Sequence, residues 1–228
     1  AYHRRQRQMC IRDRSGGKKV DVWAARISYV GESGWEIYFN NDKDDGLALY
    51  DSLLEVGVVP VGIETYANSR RLEKSFRLQG ADLETEYTAI EAAIQRPLVK
   101  EADFHGKAAH LSHRENEPCA ILCTMTLDDL NVSGVPRYPV GISPIIDPAT
   151  GEVPIDSKGR RSYTTGMSYC PSIEKFVVMG YLPNNIAEVG KSLSMEYFNE
   201  NGDGIYPMTV KIVGKGSLYD PKNQRVRA

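Results

Sequence analysis

A chain of 228 residues and 25.4 kDa has room for one large domain or two modest ones. Its 41% apolar and 25% charged residues exclude a disordered or collagenous polymer, and no apolar run reaches the ~18–20 residues of a membrane-spanning helix. The formal charge of −2 is unevenly spread: residues 1–19 carry seven Arg or Lys against Asp13 alone, leaving 21 basic and 29 acidic side chains elsewhere, a balance that opposes a duplex-binding surface.

Residues 1–19 lack apolar periodicity and a helix cap, and the run Gln8–Arg14 resembles translated adapter sequence. This stretch is therefore expected to be a non-native basic tail, with the natural chain continuing upstream. From Val20 an alternating strand runs to Val30, turns at Gly31-Glu32-Ser33-Gly34 and returns through Trp35–Phe39 as a hairpin. Asp44 or Asp45 can cap a helix whose apolar side is Leu47, Leu49, Tyr50, Leu53 and Leu54. Further helices are expected over 63–76, 86–95 and 101–114. After Glu117-Pro118 the pattern changes to β segments at 120–127, 175–181, 192–198 and 206–213, separated by Gly, Pro, Asn and Asp. The expected organisation is an α+β part over 20–115 followed by a mostly β part over 116–228, a small barrel or sandwich.

No dinucleotide fingerprint, P-loop or nucleophile elbow occurs. His105, His110 and His113 lie close together, but Lys107 and Arg114 oppose a cation there, so a solvated helix face is expected. Cys119 and Cys123 share a strand face and, with Cys10 and Cys170, are read as reduced thiols rather than a disulfide framework. The strongest local signal is Tyr29-Val-Gly-Glu32-Ser-Gly-Trp35-Glu36. Glycines on both sides of a carboxylate permit a tight turn and close approach of a flat ligand. The carboxylate can accept two parallel N–H bonds from an amidine-like edge such as that of a pterin, and Tyr29 and Trp35 could wall the ring. In the second signal, Asn68-Ser-Arg-Arg71-Leu-Glu-Lys74, Arg71 either makes a structural ion pair or meets a ligand carboxylate.

Together these segments resemble, in order, landmarks of the glycine-cleavage T-protein (aminomethyltransferase) superfamily. Arg26–Glu36 is similar to its Tyr-Thr/Val-Gly-Glu-x-Gly-aromatic-Glu signature, and Asn68–Lys74 to its Asn-Ser-Leu-Arg-Leu-Glu-Lys segment. Gly80–Leu83, Ile90–Ala92, Asp103–Lys107, Val177–Pro183 and Ser217–Arg225 supply the later landmarks. The Trp35 and Asn68-Ser69 variants lean toward the folate domains of dimethylglycine and sarcosine dehydrogenases. The resemblance implies the C-terminal half of a T-protein-like folate-binding domain followed by a small all-β barrel. It implies tetrahydrofolate as cofactor, a methylated amine donor, and FAD only in an upstream domain. The implied folate-binding residues are Glu32, Tyr29, Glu36, Trp35, Arg71 and Phe76.

Two departures accompany the match. Ala67 stands where free-standing T-proteins carry an arginine, and Phe76 lacks the hydroxyl of their later aromatic contact. The family's catalytic aspartate lies upstream of the hairpin, so no catalytic residue is assigned and the segment alone is expected to be inactive. Alternatives on the same fold are a non-catalytic folate-binding relative and a folate-dependent O- or S-demethylase. Nucleic acid and membrane are not expected partners, and the expected compartment is the cytoplasm, or the mitochondrial matrix in a eukaryote.

Overall fold

The computed structural model describes residues 6–12, 19–40, 45–94, 98–127, 142–196, 205–213 and 216–227, with the strands 6–12 and 205–213 and residue 19 described by backbone alone. Asp44, and residues 1–5 and 13–18 of the expected tail, lie outside this set. Three strands, β1 (Gln6–Arg12), β2 (Lys19–Ala25) and β3 (Glu36–Phe39), form an antiparallel sheet in that order. Part of the supposed tail is thus an edge strand, with Gln6 opposite Ala25 and Arg12 opposite Lys19. Alternation along β2 buries Val20, Val22 and Ala24, the two valines packing with Leu49 of helix α1 (Asp45–Glu55). The other face carries Trp23 and Tyr38, whose rings lie 5.0 Å apart.

The predicted hairpin is shorter than the sequence pattern implies. β2 stops at Ala25, where the Ile27 amide donates to the Ala25 carbonyl at 2.9 Å. A ten-residue loop, 26–35, then connects β2 to β3. After α1 a π-helix, Glu64–Arg70, runs directly into the single turn α2 (Arg71–Glu73). Of the helix expected over 86–95, the described residues 86–94 form a series of turns instead, and residue 95 lies outside the described set. Thr88 and Glu91 exchange reciprocal side-chain bonds to each other's amides, as at a helix start, but Ala93 adopts φ of +53° and stops propagation. Helix α3 occupies Lys107–Glu115.

The second sheet contains β4 (Ala120–Leu127), β5 (Ile145–Ile146), β6 (Thr164–Cys170), β7 (Lys175–Pro183), β8 (Ser192–Glu196) and β9 (Ile205–Val213). Its spatial order is β5-β8-β9-β4-β7-β6, with every pair antiparallel. The two outer strands also approach each other: Thr164 and Ile145 amides donate to the Ser143 and Ser162 carbonyls at 2.9 and 3.1 Å. β4 and β7 are apolar on both faces because both are covered. Cys123, Met125, Val178 and Leu182 pack with Ile145 and Met195 on one side. Leu122, Val177, Met179 and Tyr181 pack with Leu72, Tyr87 and Ala92 on the other. β5 and β6 were not expected from the sequence.

The second layer is pinned by charge as well as by apolar contact. Arg71, Leu72, Glu73 and Lys74 are four consecutive buried residues. Arg71 donates to Asp82, itself fully buried and also bonded by Thr165 and by the Leu78 amide. Glu73 accepts from Arg70 at 3.0 Å and from the Ser172 amide at 2.8 Å. Each buried charge is therefore compensated by a different chain segment, as low-dielectric surroundings require.

Candidate functional site

Loop 26–35 folds back on itself through Arg26, whose guanidinium donates to Ser33 Oγ at 3.1 Å. At its centre Gly31 has φ of +77°, and a Cβ there would overlap the methylene stem of Lys74. Only glycine lets the loop sit this low on the helical segment. The loop consequently presents Glu32 to a cavity of about 580 Å³, whose lining includes Arg26, Ser28, Glu32, Phe76, Asn223 and Arg227. That volume lies in the ordinary range for small-molecule sites. Ser28 contributes to this lining, while its Oγ is buried behind it without a hydrogen-bond partner.

Glu32 is not an isolated hairpin acid. Its Oε1 accepts from the Tyr219 hydroxyl at 3.0 Å, and Arg70 and Arg225 place guanidinium nitrogens 3.9 and 3.8 Å from its two oxygens. Tyr29, within the loop, donates to the Arg77 carbonyl at 3.1 Å, and its ring centre lies 5.5 Å from that of Tyr66 and 6.2 Å from that of Phe76. Burial pushes the Tyr29 phenol up from its ordinary pKa, and the Arg71 cation only partly offsets this.

Of the six residues expected to bind folate, Glu32 and Phe76 line the cavity, and Tyr29 lies against Phe76 without lining it. The other three lie elsewhere. Arg71 is 1% exposed and spends its donors on Asp82, on the Ala67 carbonyl at 2.6 Å and on the Phe76 carbonyl at 3.1 Å. It is the structural ion pair of the two readings and cannot meet a ligand carboxylate. Glu36 pairs with Ala25 on β2 and accepts from Tyr38 on the outward sheet face, away from the cavity lining. Trp35 is half exposed and also outside that lining. Conversely, Tyr219, Arg70, Arg225 and Asn223 were missed as site residues. Tyr219 stands 187 positions from Glu32, a separation no local pattern can bridge, although the segment 217–225 carried one of the family landmarks.

A second ionic cluster is structural. Arg160 donates to Glu91 and, at 2.7 Å, to both Asp156 Oδ2 and the Glu86 carbonyl. Its guanidinium lies 4.3 Å from the Tyr87 ring centre, and that ring stacks on Tyr181 at 3.5 Å. Among the described residues no group of three or more His, Cys, Asp or Glu side chains is arranged to hold a metal. Nor is any described helix long and apolar enough to cross a membrane.

Residues 11–101 match the GCVT N-terminal domain. The mitochondrial dimethylglycine dehydrogenase of Rattus norvegicus is 32% identical over 200 residues, an alignment covering 84% of this chain and 20% of that one. The aminomethyltransferase of Koribacter versatilis is 28% identical over 210 residues, covering 89% of this chain and 49% of that one. In fold, the chain superimposes on the glycine cleavage system aminomethyltransferase T from Bartonella henselae with a TM-score of 0.67 at 22% identity, over 86% of this chain and 50% of the other. The fold is thus a mixture of helices and antiparallel sheets that resembles part of a T-protein, with the GCVT match confined to residues 11–101. These similarities all point to the glycine-cleavage T-protein (aminomethyltransferase) superfamily: a GCVT domain over 11–101, relatives that are dimethylglycine dehydrogenases and aminomethyltransferases, and a glycine cleavage T-protein as structural neighbour. The chain spans about a fifth of the length of the dimethylglycine dehydrogenases it matches and about half that of the aminomethyltransferases.

Proposed function

We infer that this chain is the C-terminal folate-binding part of a tetrahydrofolate-dependent one-carbon transferase. The parent enzyme is read as a flavin-linked N-methyl amine dehydrogenase of the dimethylglycine or sarcosine type, with FAD on a separate upstream domain. The observation that carries the folate reading is Glu32 at the wall of the 580 Å³ cavity, with Phe76 in the same lining. A carboxylate has about four acceptor sites, and Tyr219 uses one of them. The remaining sites suit the paired N–H donors of a pterin edge, and Phe76 supplies an apolar surface for the ring. Arg26 and Arg227 add positive charge to the same cavity, which suits the acidic tail of a folate.

Tetrahydrofolate, when bound, supplies the nitrogen that takes up the one-carbon unit. This chain's own residues hold its pterin, shield it from water and set its orientation. Proximity to an upstream source of the carbon fragment would supply the rate advantage. We read residues 20–115 as the folate-binding part and 116–228 as a barrel domain, on the strength of the bonds that join the outer strands of the six-stranded sheet. Calorimetric titration with tetrahydrofolate tests the assignment. Glu32→Gln is expected to weaken binding by about 1–3 kcal/mol, the worth of a charge-assisted acceptor. Unchanged affinity would refute the role of Glu32, and absence of binding to the wild type would refute the function.

A further inference from the structure

The cavity wall contributed by residues 216–227 has an anchorage of its own. The Tyr219 amide donates to the Glu73 carbonyl at 3.0 Å, and Ser217 Oγ donates to the same oxygen at 3.3 Å. The Lys74 ammonium, on a buried side chain, donates to the carbonyls of Tyr219 and Asp220 at 3.2 and 2.8 Å and to Asn223 Oδ1 at 2.8 Å. Asp220 then accepts from the Gln224 and Arg225 amides at 2.8 and 3.1 Å, starting the short turn α4 (Gln224–Arg227). That turn brings Arg225 to Glu32 and lays its guanidinium 5.5 Å from the Tyr219 ring centre.

Lys74 therefore touches both walls of the site. Its methylene stem is the surface on which Gly31 rests, and its ammonium fastens the strap that carries Tyr219. We propose that Tyr219 is a positioning residue for the Glu32 carboxylate, delivered by a C-terminal strap that Lys74 holds in register with loop 26–35. The proposal rests on the reading of Glu32 as the pterin acceptor. A glutamate on a loop loses rotamer freedom when it binds a ligand, and a fixed hydroxyl removes part of that freedom beforehand. Tyrosine suits the task because it donates one bond and adds no charge, leaving the other acceptor sites open. Arg70 and Arg225, at 3.9 and 3.8 Å, sit beyond hydrogen-bond distance and hold the carboxylate by charge alone. The Tyr219 phenol bears the mark of the arrangement: burial first, then the bond to Glu32, push its pKa up.

The strap is fastened through the backbone of Tyr219, so Tyr219→Phe removes the hydroxyl and spares the anchorage. Tetrahydrofolate affinity and melting temperature should be measured for the 228-residue chain, Tyr219→Phe, Glu32→Gln and the double variant. Tyr219→Phe is expected to bind about threefold to tenfold more weakly with an unchanged melting temperature, and to have no further effect once Glu32 is Gln. Lys74→Met, which keeps the stem and loses the ammonium, should show the same weakening together with faster tryptic cleavage after Lys222 and Arg225. Wild-type affinity in Tyr219→Phe, or equal weakening with and without Glu32, would overturn the proposal. If the wild type binds no folate, the functional reading fails and the pairing is judged alone. The tyrosine NMR resonance missing from Tyr219→Phe must then titrate at lower pH in Glu32→Gln, where Arg70 and Arg225 remain near the phenol without the acid. An unshifted resonance overturns the positioning role.

Discussion

Gly31→Ala tests the packing that places Glu32. At φ of +77° an alanine meets the left-handed penalty of about 1–2 kcal/mol. Its Cβ also overlaps the Lys74 stem, so either the loop rises or the lysine yields. Lys74 is tied by three ammonium bonds to Tyr219, Asp220 and Asn223, and loss of one such charge-assisted bond costs about 1.5–3 kcal/mol. The combined expectation is a loss of about 2.5–5 kcal/mol. For a chain of this size that is a fall in melting temperature of about 5–20 °C. Scanning calorimetry reads it directly, with Gly34→Ala as control. A Cβ at Gly34 meets nothing nearer than the Ile27 carbonyl at 3.5 Å and the residue has no positive φ, so little change is expected. Equal melting of the two variants would refute the account of Lys74 as the floor of the loop.

Asp82→Ala leaves the Arg71 cation buried with only neutral partners, two carbonyls and the Met179 sulfur, and should cost about 3–5 kcal/mol by urea denaturation; a loss under 1 kcal/mol would mean that water or rearrangement replaces the carboxylate. For Glu91 and Asp156, burial opposes ionisation, but the bonds from Arg160 and nearby amides outweigh it and hold both carboxyls below their ordinary pKa. Lowered folded values give stability that is full above the unfolded pKa of about 4 and is lost as pH falls through the folded ones. Melting temperature should accordingly drop as pH falls below about 4, and Arg160→Met should flatten that slope; an unchanged slope would assign acid sensitivity to other carboxylates. Burial pushes the Cys123 thiol up to about 12 and raises Cys170 as well, whereas Cys119 is only half buried. Brief maleimide labelling followed by peptide mass mapping should modify Cys119 and spare the other two until denaturant is added; rapid native labelling of Cys123 would contradict the packing of β4.

What was legible in the sequence follows from what each element buries. β4 and β7 announce themselves because Leu122, Met125, Val178 and Leu182 fill apolar layers. β6 gives no such signal, since its buried residues include Thr164, Thr165, Gly166 and Ser168. Small polar side chains are needed there: Thr165 bonds Asp82, and a Cβ on Gly166 would come within 2.6 Å of an Arg71 nitrogen. Local propensity misled over 86–95, where Ala and Glu read as helix but Glu91 is drawn to Arg160, 69 positions away. Of the residues named from the sequence, Glu32 and Phe76 line the cavity. Their partners were hidden because tertiary folding alone brings residues 26–35, 70–76 and 219–227 together.

The site illustrates why charged residues can be buried at a binding locus at an acceptable energetic cost. The segment 71–74 could have packed β6 and β7 with apolar side chains alone, which would match or exceed a buried ion pair in stability. Apolar packing is non-directional, however, and would not fix a loop and a distant strap in one register. Arg71 binds one segment through Asp82, Glu73 binds another through the Ser172 amide, and Lys74 binds the strap. Each uses directional bonds whose loss leaves a buried charge unmatched, so a displaced register is penalised more steeply than displaced apolar contact would be. Glu32 gains a defined position from this framework while its own carboxylate stays part-exposed at the cavity. Rigidity is concentrated one layer behind the group that meets the ligand, and that group keeps its remaining acceptor sites for binding.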